Sequence, residues 1–265
     1  MKEQILNQLS EFYPWKEHFH YFEEIDSTNI RIKAMAKAGA PHGTVLIADR
    51  QTGGMGRMGR NFHSPGGVGI YMSILLRPNC APMELLHLTC ATAVAMCDAV
   101  EKAAGFRPGI KWTNDLVSGK RKLGGILTEL GLSPKGMVDY AIIGIGINCC
   151  QQPADFAPDI QNIAASLSMV TGTSIDRSKV AAAMMEALHA MSETLLTGKA
   201  VMLKSYRADC ITVGQDISLV RGDEIRHGHA VDVDDAGALI VRFPDGHLEA
   251  VNSGEVSVRG MYGYV

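Results

Sequence analysis

The sequence predicts an α+β protein: one large domain that mixes helices and strands, then a small all-β domain. Three observations carry this. At 265 residues the chain is long enough for a sizeable core and a second, smaller unit. A glycine-rich stretch, Gln51 to Gly69, runs from one strand into another with no helix between them. After Cys210 the texture changes: Ile217 to Val258 is short β segments cut by Arg221-Gly222-Asp223, Asp235-Ala236-Gly237 and Pro244-Asp245-Gly246. Turn signals at such intervals mark a small antiparallel barrel or sandwich. The expected division is 1–211 and 212–265.

Residues 2–12 place Ile5, Leu6, Leu9 and Phe12 at helical spacing, the pattern of a short amphipathic helix. His20-Tyr21-Phe22 is a strand. Asp26-Ser27-Thr28-Asn29 then opens a helix that Gly39 stops. Capping alone explains that tetrad; so does a first turn whose hydroxyls and amides face a ligand. Thr44 to Ala48 and Gly69 to Leu76 are the strands flanking the glycine stretch. A long helix starts near Pro82 and ends before Gly105, with Met83, Leu86, Val94 and Met96 as core. Ile110 to Trp112 and Leu116-Val117 are short strands; Ser118-Gly119-Lys120 turns, and Leu123 to Leu130 returns. Val138 to Asn148 is a continuous apolar strand, buried on both faces. Two or three helices fill roughly 162–210, with Asp176 as a cap and Gly198 as a stop.

Hydrophobic residues make up 46% and charged residues 20%, the balance of a globular protein, and the formal net charge is −3. That charge gives no bulk electrostatic case for nucleic acid or membrane. The six cysteines show no Cys-x-x-Cys spacing and several lie in apolar runs, the pattern of reduced thiols in a cytoplasmic protein. The polar start is unlike a signal peptide, and no apolar run reaches 18 residues.

Two clusters carry chemistry. Gly54-Met55-Gly56-Arg57-Met58-Gly59-Arg60 satisfies the letters of a dinucleotide fingerprint, and Gly54 and Gly59 have P-loop spacing. Both motifs work only when a helix N-terminus follows to hold phosphate. Here Ser64-Pro65-Gly66-Gly67 and a strand follow instead. What remains is either a flexible surface loop or a strand–loop–strand anion cradle, in which glycine amides approach the ligand and Arg57 and Arg60 supply charge. The second cluster is Lys111-Trp112-Thr113-Asn114-Asp115 with Lys120-Arg121-Lys122-Leu123-Gly124-Gly125. It combines an apolar wall, an amide, a carboxylate able to bind Mg²⁺, and Lys120 and Lys122 alternating onto one face. A solvated hairpin is the plain alternative. The nine histidines show no metal-ligand spacing, and no Gly-x-Ser-x-Gly or Cys–His spacing indicates a covalent intermediate.

Asp26-Ser27-Thr28-Asn29, Gln51 to Arg60, Lys111 to Asp115, Arg121 to Ile126 and Gly144-Ile145-Gly146-Ile147-Asn148, in this order, resemble the bacterial biotin–protein ligases. Gly254 to Arg259 resembles that family's end. The resemblance implies a central mixed sheet flanked by helices, of the class II synthetase and biotin–lipoyl ligase kind, followed by an SH3-like barrel. It implies that biotin and MgATP give biotinyl-AMP and pyrophosphate, and that a lysine of a biotin carboxyl carrier protein then takes the biotinyl group. By the same resemblance Ser27, Thr28 and Gln51 hold the biotin ureido ring, Asn29 also belongs to the biotin site, and Trp112, Gly144 and Gly146 line its apolar pocket. Met55, Gly56 and Arg57 close over the biotinyl carboxylate, and Lys122 contacts that carboxylate and the α-phosphate. Arg60, Phe62, Lys111, Asn114 and Asn148 surround the nucleotide, with Glu255 and Arg259 reaching it from the small domain. Asp115 stands near the metal or the incoming amine, so Lys122, Arg57 and Asp115 carry the catalysis.

The family commonly has Arg where this chain has Met55, Pro where it has Thr113 and Trp where it has Phe62. Three rivals stand beside this reading: a lipoate–protein ligase of the same fold, a biotin-responsive repressor, and a non-catalytic biotin-binding module. The Gly-x-Gly-Arg-x-Gly-Arg and Lys-Trp-x-Asn-Asp motifs favour biotin. About 20 residues precede the motifs, too few for a three-helix DNA reader, so no DNA binding is expected. A binding module would not need the arginines, Lys122 or Asp115. The resemblance leaves a homodimer open, because members dimerise through different surfaces or not at all.

Overall fold

The computed structural model describes residues 1–252 and 257–260. The chain opens with α1 (Lys2–Gln8), β1 (Phe19–Ile25), α2 (Thr28–Lys37), β2 (Thr44–Gln51) and β3 (Gly69–Leu76). It continues through α3 (Leu88–Ala104), β4 (Gly109–Lys111), β5 (Asp115–Ser118), β6 (Arg121–Leu132) and β7 (Val138–Asn148). Three helices follow: α4 (Leu167–Thr171), α5 (Arg177–Thr194) and α6 (Lys199–Asp209). The small unit holds β8 (Asp216–Arg221), β9 (Glu224–Val233), β10 (Leu239–Arg242), β11 (Leu248–Val251) and β12 (Ser257–Gly260).

The seven strands of the first sheet lie in the order β1-β2-β3-β7-β6-β5-β4. β1 and β2 run parallel and the remaining neighbours antiparallel, so the sheet is mixed. The second sheet is antiparallel, in the order β11-β10-β9-β8-β12. Both follow the α+β expectation, and the small antiparallel sheet is consistent with the SH3-like domain that the resemblance implies.

Alternation along each strand sends every second side chain to the same face. On one face Val45, Ile47, Ile70, Met72, Ile74, Ile143, Ile145 and Ile147 join the main core, packed beneath α3 and α5. On the other face Leu46, Leu75, Tyr140 and Ile142 meet Ile32 and Ala36 of α2 alone. One short helix covers only part of that face. The rest of it lines a cavity.

Several local expectations are corrected. Phe12 is 87% exposed and lies beyond α1, which ends at Gln8. Met83 and Leu86 belong to a turn ahead of α3 and are exposed, whereas Val94 and Met96 are buried as expected. Gly198 is the N-cap of α6 and not the stop of α5, which ends at Thr194. Asp176 does cap α5, accepting from the Ser178 and Lys179 amides. The stretch Pro82–Ala104 has the length and apolar composition of a membrane crossing, but most of it is buried inside the protein.

All six cysteines are free, and all but Cys150 are buried. Burial pushes the Cys90 thiol up to about 12 and raises the other five as well. A thiolate is the reactive form. Ellman's reagent at neutral pH should therefore titrate at most Cys150 in the native protein and all six in denaturant. Rapid native reaction of several thiols would contradict this packing.

Candidate active site

The site's floor is built by the alternation Gly144-Ile145-Gly146-Ile147-Asn148 in β7. The isoleucines point into the main core, so Gly144, Gly146 and Asn148 share the opposite face with Tyr140 and Ile142. The two glycines leave room for side chains from elsewhere. A Cβ on Gly144 would lie 2.0 Å from Asn29 Oδ1, and one on Gly146 would meet the Phe62 ring. Above this floor is a cavity of about 740 Å³, within the ~300–1,000 Å³ of small-molecule sites.

At one end the first turn of α2 meets β2 and β3. Gln51 Oε1 accepts from the Thr28 amide (2.8 Å) and from Thr28 Oγ1 (3.0 Å), while Gln51 Nε2 donates to Ser64 Oγ at 3.0 Å. The Ser73 hydroxyl bridges Thr28 Oγ1 (2.7 Å) and Asn29 Oδ1 (2.5 Å). Asn29 Nδ2 reaches Glu129 at 3.2 Å, and Glu129 is paired with Lys33. Ser27 occupies the N-cap position but makes no side-chain cap bond. Ser27, Thr28, Asn29 and Gln51 all line the cavity. Capping alone therefore does not account for the tetrad. This end is neutral and rich in donors and acceptors.

The middle of the cavity is cationic. The glycine loop folds back on itself: the Gly56 amide donates to Arg60 O (2.7 Å) and the Phe62 amide to Gly54 O (2.9 Å), with Met58 at positive φ at the tip. This delivers Arg57 onto the β4–β5 hairpin, where its Nη1 donates to Asn114 Oδ1 at 2.7 Å. Burial draws the Arg57 guanidinium below the ordinary arginine value, opposed by Asp115. Asn114 Nδ2 is fixed by Ile126 O (3.0 Å) and contacts Asp115 Oδ1 (3.2 Å), to which Lys122 Nζ donates at 2.6 Å. A bulge opposite Leu116 and Val117 sets the turn of β6 at Lys122. Gly125 lies against that lysine: an added Cβ would come within 3.2 Å of Nζ. Arg57, Arg60, Lys111 and Lys122 face the cavity with Asp115 as the only carboxylate among its described lining residues. Lys120 is exposed in the turn and takes no part in the lining.

At the far end stand Asn148, Gln151, Phe156, Ile160, Ile163 and Ala164. The segment 160–165 is tied on by the Lys122 amide to Ile163 O (2.7 Å) and the Ala165 amide to Lys122 O (2.8 Å). Of this wall only Asn148 is expected from the sequence; Gln151 to Ala164 and Ser73 are not. A signal existed for each: Ser73 is the lone polar residue in the apolar strand Gly69–Leu76, and Gln151-Gln152 closely follows Asn148. Met55, Gly56, Phe62 and Trp112 line the cavity as well. Trp112 has a second task, for its indole Nε1 donates to Gly237 O of the small unit at 2.9 Å. The Phe62 ring sits over Gly146, edge-on to Tyr71. Val258 of β12 reaches the cavity, whereas Glu255 and the Arg259 side chain lie outside the described residues.

Among the described residues no three His, Cys, Asp or Glu side chains converge on a common point. The described residues therefore fit a hard divalent cation held mainly by phosphate and water, with Asp115 as the one carboxylate among them that lines the cavity. Among the described residues none completes an all-protein metal cage.

Two family models match: the Biotin/lipoate A/B protein ligase family over residues 21–148 and the Biotin protein ligase C terminal domain over residues 212–259. The "Bifunctional ligase/repressor BirA" of Bacillus subtilis is 33% identical over 243 residues, 91% of this chain and 74% of the relative. The "Biotin--[acetyl-CoA-carboxylase] ligase" of Paracoccus denitrificans is 30% identical over 239 residues, 89% of this chain and 98% of the relative. The Aquifex aeolicus biotin protein ligase solved in complex with biotin and ATP superposes with a TM-score of 0.75 at 28% identity. That likeness covers 91% of this chain and 98% of the other. With the mixed sheet, the small C-terminal sheet and these matches together, the chain belongs to the biotin/lipoate A/B protein ligase family, among its biotin protein ligases.

Proposed function

We propose that this chain activates biotin with ATP and transfers it to a lysine of a biotin carboxyl carrier protein, and that the cavity residues named above carry the reaction. The order of chemistry along the cavity is the observation that supports this most. A neutral hydrogen-bonding end, a cationic middle and an apolar end with amides match a ureido ring, a carboxylate meeting a phosphate, and a base. Strand rise puts Gly144 and Asn148 about 13 Å apart, a span suited to an adenylate lying along β7.

In the first step a biotin carboxylate oxygen attacks the α-phosphorus of ATP, and the bond to the bridging oxygen of pyrophosphate breaks. Two anions must approach, so the barrier is largely electrostatic. Lys122 and Arg57 face the join, while Arg60 and Lys111 supply further positive charge. Mg²⁺ entering with ATP would be met by Asp115 and would screen the leaving phosphates. The loop through Met55, Gly56 and Arg57 covers the mixed anhydride and keeps water from it. In the second step the carrier amine attacks the acyl carbon, AMP leaves, and the amine's proton is released. Asp115 is placed to receive it. No protein nucleophile is required.

Residues 1–211 form the catalytic unit and 212–265 the C-terminal one in this reading, which places the reaction in the cytoplasm with no membrane or DNA partner. Biotin-dependent ATP–pyrophosphate exchange is the test. Exchange with biotin and none with lipoate is expected; exchange with lipoate alone would assign the site to the rival ligase, and no exchange with either would sink the adenylation reading.

A further inference from the structure

Trp112 lines the cavity, yet both of its nitrogens are held from the C-terminal part of the chain. Its amide donates to Thr212 Oγ1 and its indole Nε1 to Gly237 O, each at 2.9 Å. The neighbouring residues are held from the same side. Tyr206 donates its hydroxyl to Thr113 O at 3.1 Å, and the Ile211 amide donates to Ile110 O at 2.9 Å. A buried indole N–H needs an acceptor, and here that acceptor belongs to the turn between β9 and β10.

Asp234 shapes that turn. Its Oδ1 accepts from the Ala236 and Ala238 amides, both at 2.8 Å. Its backbone adds two bonds, from the Asp234 amide to Ala238 O (2.9 Å) and from the Gly237 amide to Asp234 O (3.1 Å). Gly237 takes a φ of +85°, which glycine adopts readily. It packs closely on α3, where an added Cβ would lie 3.0 Å from Cys90 Sγ. The turn has little room to shift, and it presents Gly237 O to the indole.

We propose that Asp234 is a positioning residue: by fixing the turn that carries Gly237 O, it holds the Trp112 indole in place as a wall of the biotin site. This rests on the ligase reading above. Asp234 does not itself line the cavity, so its influence passes through the Gly237–Trp112 hydrogen bond. A mere packing contact between the two units, once broken, would lower stability and affect every ligand alike. A positioning contact acts on the ligand that Trp112 touches, so biotin affinity should fall and nucleotide affinity should not.

The test is titration calorimetry of biotin on the full chain without nucleotide. Asp234→Ala should weaken biotin by about three- to tenfold, the weight of one hydrogen bond, and leave KM for ATP within about twofold. Asp234→Asn, which keeps an acceptor oxygen for both amides, should bind biotin as the wild type does. Trp112→Phe keeps an aromatic wall but lacks the N–H, so adding Asp234→Ala to it should cost nothing further. The Trp112 indole N–H resonance, assigned by its loss in Trp112→Phe, should exchange slowly with solvent in the wild type and faster in Asp234→Ala. Equal losses of biotin affinity from Asp234→Ala in both backgrounds would overturn the proposal, as would unchanged affinity or an equal loss for ATP. Should Asp234→Ala fail to fold, Asp234→Ser, with its shorter acceptor, takes its place in the same cycle. A wild type that does not bind biotin would overturn the ligase reading. Indole exchange would still decide the link to Trp112, which an unchanged rate in Asp234→Ala overturns.

Discussion

Lys122→Ala should lower biotin-dependent pyrophosphate exchange by about two to three orders of magnitude, the usual effect of removing one group that stabilises developing negative charge. The structure argues for the upper end of that range. Lys122 Nζ is 2.6 Å from Asp115 Oδ1, and the Asp115 side chain is largely enclosed. Removing the ammonium takes a positive charge from the join and leaves the cavity's carboxylate without its lysine partner, facing two incoming anions. The double variant Lys122→Ala/Asp115→Asn should therefore recover part of the loss, although it has lost a second cavity group. Exchange assays on the two single variants and the double one check this. Near-wild-type activity in Lys122→Ala would remove the lysine from the mechanism, and strict additivity would break its link to Asp115. Lys122 is partly solvated, so little change in thermal stability is expected.

The second large effect should come from Gly144→Ala. The methyl group would lie 2.0 Å from Asn29 Oδ1, and neither side can give way easily. Gly144 is paired in register with Ser73 on one side and Leu127 on the other. Asn29 is held by Ser73 and Glu129. Overpacking of this kind costs about 1–3 kcal/mol, and the displaced asparagine would drag Ser73 and Thr28 out of line. Denaturant unfolding should show the stability loss, and titration calorimetry a loss of biotin affinity of tenfold or more. The companion Asn29→Ala/Gly144→Ala should regain stability but not affinity, since it restores the space and not the hydrogen-bond chain. A Gly144→Ala protein that is as stable and binds as tightly as the wild type would refute the arrangement at this end of the cavity.

The parts of the site that were readable in advance share one property: their chemistry is compact in sequence. The glycine loop with Arg57 and Arg60, the Lys111–Asp115 hairpin and Lys122 each announce, within a few residues, the charged groups that line the cavity. The alternation of Gly144 to Asn148 announces a strand with one small face. The failed dinucleotide and P-loop readings were also decided locally, because a strand and not a helix follows the glycines. The misplacements of Phe12, Met83 and Leu86 came from the same source. Helical spacing says which residues could share a face but not where the helix ends or what covers it.

What the sequence by itself determined is the alternation of strands and helices, the small all-β unit that follows them, and the residue types needed to join a carboxylate to a phosphate. Tertiary structure alone decided which of these residues share a cavity, and in what order. The Ser73 hydroxyl reaches Thr28 across 45 positions, the Trp112 indole reaches Gly237 across 125, and Arg57 reaches Asn114 across 57. The wall of residues 151–164 appears only once β7 is seated between β3 and β6. The physical reason is that spacing along a chain fixes local faces, whereas a binding site is made by side chains whose separation is set by sheet order and register.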